Sequence, residues 1–572
     1  MPDTEARLRR VLNTEAPEPG TIPASARDCL DRAYEAAYAE DNLGAVFMAR
    51  AGLKRAAPVE TETILALYSV LVAVSQLAGR HTDAEKYLRE RIRVLKDAGQ
   101  DIQAAVEADL GTLLFREATE RDLPLLEAAL EQLSEAKAPP AVLADLQLAV
   151  AVARSRNGTK PQALKLLERA VQGYAAGRRP DSLSGALMYL AHTYVMTDHP
   201  RRAIATADRL LSMPANRALL ASMWLLKANL AAGSGEHDDQ ALEFALTALE
   251  LYAACGVRKG AVSAAVVVAR LCAAAGDGAT SVLAWRAAVQ QAERGEVHEE
   301  LTLRLALGNQ LLEAEEYELA REVLEKLLER QERANAGASN IARTLMSLGH
   351  AHRHCGNSAD ALECWRHAVS EFNAAREYAE ASRALLAIGT LLSRENRGAD
   401  ALVCLEAATA AARKAKEDDT VLPQALHALG HALCEAGDPD GLSQLDEAIQ
   451  IAREFGAHWY EADYSDTRAR ALWALDRGQA AVSAALHAAD LYAAADDPGS
   501  ACNAELFAAQ VLAETGQTSE AVTIFRMVLD QPEISRPLVV AANMGLAGAL
   551  DELGRTRAAD RARRAAEEAA DG

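Results

Sequence analysis

The residues best suited to chemistry in this chain of 572 lie between His350 and His367. His350, His352, His354, Cys355, Cys364 and His367 form its densest His/Cys cluster. On a helix, His350 and His354 stand four apart on one face, a spacing that suits two zinc ligands, and Cys364 and His367 would follow on an antiparallel helix. The competing reading places these side chains in a core or on an outer face. His427 and His431 repeat the i, i+4 spacing two units later, which fits a groove-facing column better than a metal site. No metal and no cofactor is therefore expected. Catalysis has no motif either: the chain holds no P-loop, no GxGxxG, no GxSxG and no HExxH. Glu313, Glu315 and Glu316 are the densest group of carboxylates and read as an exposed acidic turn. We expect no enzyme.

A second set of polar residues draws its meaning from position: Asn229, Arg270, Asn309, His350, His431 and Arg470, with Arg343 and Arg383 near by. The elements that carry them are helical. Ala, Leu, Glu and Arg dominate, apolar residues recur at three- and four-residue spacing, and strand signals are nearly absent. A branched apolar residue followed by Gly recurs at Leu307-Gly308, Leu348-Gly349, Ile388-Gly389 and Leu429-Gly430, with the glycines 41, 40 and 41 residues apart. Extending that register places small residues at Ala33, Gly111, Ala151, Ala191, Ala228, Ala269, Ala469, Ala509 and Ala547, with Val72 in the remaining slot. That makes fourteen units averaging just under 40 residues.

Two further columns follow the same register. Seven residues after the anchor stand Gly79, Gly158, Gly276, Gly356, Gly437, Gly516 and Gly554, with Asp198, Asn396 and Asp476 in three other units. These types take positive φ and end helices. Twelve residues after the anchor, Ala recurs from Ala45 and Ala84 to Ala521 and Ala559. Each unit thus reads as a hairpin. A first helix carries a small residue at the crossing, a turn follows, and a second helix brings its own Ala to the crossing. Large residues four positions beyond that Ala, such as Leu88, Trp365, Leu405 and Phe525, fill the gaps. A lone hairpin cannot bury its apolar face, so the hairpins must stack.

This pattern resembles the tetratricopeptide repeat (TPR) family over almost the whole chain. The unit Leu348-Gly349, Gly356, Ala361, Trp365, Ala368 shows the family's small, turn, Ala, large and Ala positions in order. The units are longer than the family's usual ~34 residues, and its early Trp, its Tyr and its closing Pro are mostly missing, being matched only in places such as Trp224 and Tyr194. The resemblance is to the longer-unit variants in sensor arrays of bacterial regulators, which bind regulatory proteins or short peptides. It implies an all-α fold, a right-handed superhelical solenoid of about 14 TPR-like hairpins, whose first helices line a concave groove.

On that reading the position after each anchor faces the groove. It is polar in nine consecutive units: His192, Asn229, Arg270, Asn309, His350, Thr390, His431, Arg470 and Gln510. Asn can match an extended peptide backbone with both a donor and an acceptor. Arg343 and Arg383, six residues before their anchors, reinforce Arg270 and Arg470 as a basic stripe for an acidic peptide. The alternative is that these residues only solvate an empty channel, and Asp466, four before Arg470, could neutralise it.

Composition limits the partners. Lys and Arg number 60 against 82 Asp and Glu, a net charge of -22, which argues against direct nucleic-acid or anionic-membrane binding. Eight scattered Cys with no CxxC pair give no disulfide framework. The stretch from Ile64 to Gly79 is apolar but interrupted by Ser69, Ser75 and Gln76, so it reads as a buried helix. A flexible arm with one short helix is expected over 1–22, the array over 23–554, and a capping helix and tail over 555–572. The expected function is a non-catalytic protein- or peptide-binding scaffold in the cytoplasm, or alternatively a regulatory sensor array whose curvature changes on binding.

Overall fold

The computed structural model describes residues 2–13, 21–116, 118–156, 158–233, 238–295, 299–415, 420–531 and 534–571. They form 29 α-helices and one short 3-10 turn, with no strand among the described residues. Within each part of the chain most successive helices pack on one another, and the fold is an all-α solenoid. No described helix is long and apolar enough to cross a membrane. The chain divides into two compact units, Met1–Glu316 and Tyr317–Gly572, where the period alone suggested one continuous array.

The repeat register explains the helix boundaries. All ten turn residues named from the sequence, from Gly79 to Gly554 and including Asp198, Asn396 and Asp476, take positive φ. Glu40 and Glu315 hold the same slot at φ 61° and 60° without being residues that favour it. Helix starts are fixed by side chains such as Asp41, Asn216 and Asp277, whose oxygens accept from the backbone N–H three residues on.

The register also explains the packing. Every anchor, from Ala33 to Ala547, is buried. So is every second-helix Ala of the register, from Ala45 to Ala559. The crossings are close enough to need small residues. A Cβ built on Gly349 would overlap the Trp365 indole, and one on Gly389 would lie 2.6 Å from Leu405. Trp365 is fully buried and its Nε1 donates to the Met346 carbonyl at 3.1 Å. The resulting core is a series of small clusters. One of them joins Ala361, Trp365, Ile388, Leu392 and Ala401 across two successive hairpins.

Two irregular units show how the pattern bends. After Gly111, which lacks a turn glycine, the chain runs through a 3-10 turn at Glu120–Asp122, capped by Thr119 and Asp122 bonding each other's backbone and side chains. After Gly430 the missing second-helix Ala is replaced by Gly441, one place early. A Cβ on Gly430 would lie 2.7 Å from the Gly441 carbonyl.

Each end carries a helix. Pro2–Asn13 is a helix with Leu8 and Val11 buried, docked on Asp238–Cys255 and Gly278–Arg294. Arg7 bonds Glu243, Thr247 and Glu250 at 2.7 to 3.2 Å. The prolines Pro17 and Pro19 that suggested an arm lie in 14–20, outside the described residues. The last helix, Thr556–Asp571, buries Ala559, Ala562 and Ala566.

Candidate functional site

In each of the nine units the recurring polar position follows a buried anchor. His192, Asn229, Arg270, Asn309, Thr390, His431 and Gln510 are exposed, and His350 and Arg470 are half-buried. A helix places residue i+1 about 100° around its axis from residue i, so a buried anchor forces its successor off the core-facing side.

The eight candidate residues fall into two groups. Asn229, on Arg217–Ala232, Arg270, on Arg258–Ala274, and Asn309, on Glu300–Glu313, belong to the first unit. Arg343 and His350 share Ala338–His354 in the second unit. Arg383 lies on Tyr378–Arg394, His431 on Val421–Glu435 and Arg470 on His458–Ala474.

Their charges are mostly answered inside the fold. Arg470 Nε donates to Asp466 at 2.8 Å, the neutralisation its i, i+4 spacing suggested, and its guanidinium lies 4.6 Å from the Phe507 ring centre. Arg383 donates to Glu380 at 2.6 Å. Arg343 stands 3.8 Å from Glu377. Arg270 is exposed and forms no ion pair among the described residues. His431 lies 3.6 Å from Glu435. His350 packs edge-on against Trp365, and burial with the neighbouring Arg353 and His354 pushes it down to about 4. At neutral pH it is an uncharged hydrogen-bonding group.

The His/Cys cluster disperses. His354 stacks on Tyr317 at 4.2 Å, His352 lies 3.8 Å from Asp360, and His367 lies 3.5 Å from Glu371. Burial raises the Cys364 thiol to about 11. No group of three or more His, Cys, Asp or Glu among the described residues is arranged to hold a metal ion. His427 stacks on Tyr464 at 4.6 Å with Nε2 2.8 Å from Thr467 Oγ1, a core position and not a groove one.

A cavity in the first unit was not legible in the polar column. In the early hairpins that column reads Tyr34, Ala73, Thr112 and Val152, and Tyr34, Ala73 and Val152 line the cavity. Apolar side chains on a helix announce a core, and nothing local says that these face a space.

No protein-family model matches the chain, and no curated protein matches it. Among solved structures it is similar to BtubC from P. vanneervenii, at 16% identity and a TM-score of 0.27, over 45% of this chain and 91% of that one. It is also similar to the apo form of RapI, at 12% identity and a TM-score of 0.35, over 53% of this chain and 96% of that one. Likenesses this distant carry no functional argument.

Proposed function

We infer that the chain is a cytoplasmic, non-catalytic TPR-like scaffold that holds a protein or an extended peptide on the exposed face of its first helices. The observation that carries this reading is the column itself. In nine consecutive units a polar side chain follows a buried anchor, and in seven of them that side chain is exposed. Repeat arrays present such continuous rows as binding surfaces. Asn229 and Asn309 would bond a peptide backbone, and Arg270 and Arg343 would meet acidic side chains. Arg383 and Arg470 would first have to exchange their own carboxylates, so charge should contribute a modest, salt-sensitive share of the affinity.

A regulatory sensor is the second reading. It is favoured by the way the first hairpin is tied to distant ones: Arg27 to Asp181 at 2.7 and 2.9 Å, and Arg217 to Glu35 at 2.7 and 3.0 Å. Polar ties of this kind can open and close. Affinity capture separates the readings from an inert array. The wild-type chain should enrich a partner that an Arg270→Ala, Arg343→Ala variant of unchanged helicity loses. Equal enrichment by both would remove the site assignment. A ligand-dependent change in solution scattering would favour the sensor.

A further inference from the structure

The first unit contains a chamber of about 490 Å3, within the ~300–1,000 Å3 range of small-molecule sites. Five successive first helices surround it: Ala26–Tyr38, Thr61–Leu77, Asp101–Leu114, Pro140–Arg156 and Pro180–Met196. The circuit closes because Arg27, on the first of these helices, is bonded through both terminal nitrogens to Asp181 on the last.

The walls are of two kinds. Val70, Ala73, Val74, Leu148, Ala149 and Val152 supply aliphatic surface. Tyr34, Tyr38 and Tyr189 add aromatic rings. Tyr38 keeps 41% of its surface accessible, yet the protein around it raises its hydroxyl above the ordinary tyrosine range.

The charges on the chamber wall cancel. Fully buried Glu107 accepts from Arg91 at 2.8 and 3.0 Å and from Gln103 at 2.8 Å. Asp145 accepts from Gln103 at 2.8 Å, Tyr174 at 2.8 Å and Arg179 at 3.1 Å. Asp181 is held by Arg27, and Arg116 donates to Asp122 at 2.7 Å. Each carboxylate on the wall thus has its guanidinium. What is left over is neutral. Gln103 is 2% exposed and spends both amide hydrogens on Glu107 and Asp145, and its Oε1 is buried with no hydrogen-bond partner. That oxygen has no accessible surface of its own, so it does not face the open space.

We propose that this chamber binds an uncharged small molecule with an apolar or aromatic body. The body lies against the aliphatic wall and the tyrosine rings. An ionic ligand finds no unpaired counter-charge. An extended peptide requires a donor and an acceptor at every residue, and the polar groups of the wall are spent on one another.

Two dyes test this on the full chain. N-phenyl-naphthylamine is uncharged; anilinonaphthalene sulfonate has the same ring system with a negative charge. The neutral dye should show saturable fluorescence enhancement at one site per chain, and the sulfonate should bind at least about tenfold more weakly. A Cβ added at Gly185, which lines the chamber, meets no atom within 4 Å, so Gly185→Trp fills the space without a backbone clash. It should abolish the enhancement while keeping the helicity and melting temperature. Ala73→Phe fills the chamber from another wall and replaces the first variant should that one not fold. No saturable enhancement in the wild-type chain, equal affinity for the sulfonate, or undiminished binding by a folded chamber-filling variant would each overturn the proposal.

Discussion

At the scale of single residues, the fold depends on small side chains where helices cross. Gly349 illustrates the constraint: its missing Cβ is the space that the Trp365 indole occupies. Gly349→Ala forces that ring or the crossing to shift, and the ordinary cost of overpacking is about 1–3 kcal/mol. Urea unfolding should show that loss, even though Ala is the better helix former. Two histidines make stability depend on pH. His350 and His427 are both pushed down to about 4, mainly by burial, against an ordinary value of 6.5. The folded state keeps these rings neutral while the unfolded chain takes up their protons below 6.5. Their contribution is complete above pH 6.5 and is lost as pH falls towards 4. The urea midpoint should therefore drop between pH 7 and pH 5, and a His350→Gln, His427→Gln variant should drop less. An equal drop would assign the acid sensitivity to other groups.

At the scale of elements, the helix Pro2–Asn13 is the most informative. Its attachment rests on Leu8, Val11 and the four hydrogen bonds of Arg7, made across more than 230 residues of sequence. Arg7→Ala should release it, seen as amide exchange over residues 4–12 faster by about tenfold or more, with the remaining helices unchanged. No acceleration would mean that the apolar contacts hold the helix alone. This element also marks where the sequence becomes illegible. The hairpins could be read because each signal is local: an anchor, a turn residue seven places on, an Ala twelve places on. The turn residues took positive φ because Gly, Asn and Asp reach it at little cost. Glu40 escaped because the packed helices Ala26–Tyr38 and Asn42–Arg55 on either side impose a conformation that the residue itself does not favour. Docking of the first helix, and the bonds from Arg27 to Asp181 and from Glu35 to Arg217, join residues that no periodicity relates.

At the scale of the molecule, the composition acquires a structural cause. Scarce aromatics accompany crossings built from Ala and Gly; Trp365, Phe372 and Phe525 are fully buried beside them, while Phe47, Phe455, Trp459 and Tyr460 stay exposed. The candidate face was legible as a column because a buried anchor fixes the direction of its successor. Its pairing was legible only in part: the Asp466–Arg470 and Glu380–Arg383 contacts have helical spacing, while Glu377, just before Tyr378–Arg394, reaches Arg343 from far along the chain. The central claim is that this face binds a partner. It is tested most directly by measuring the affinity of a captured partner for the wild-type chain and for a variant carrying Asn229→Ala, Arg270→Ala and Asn309→Ala. The account predicts a loss of at least about tenfold with helicity unchanged. Equal affinity for both chains would contradict it.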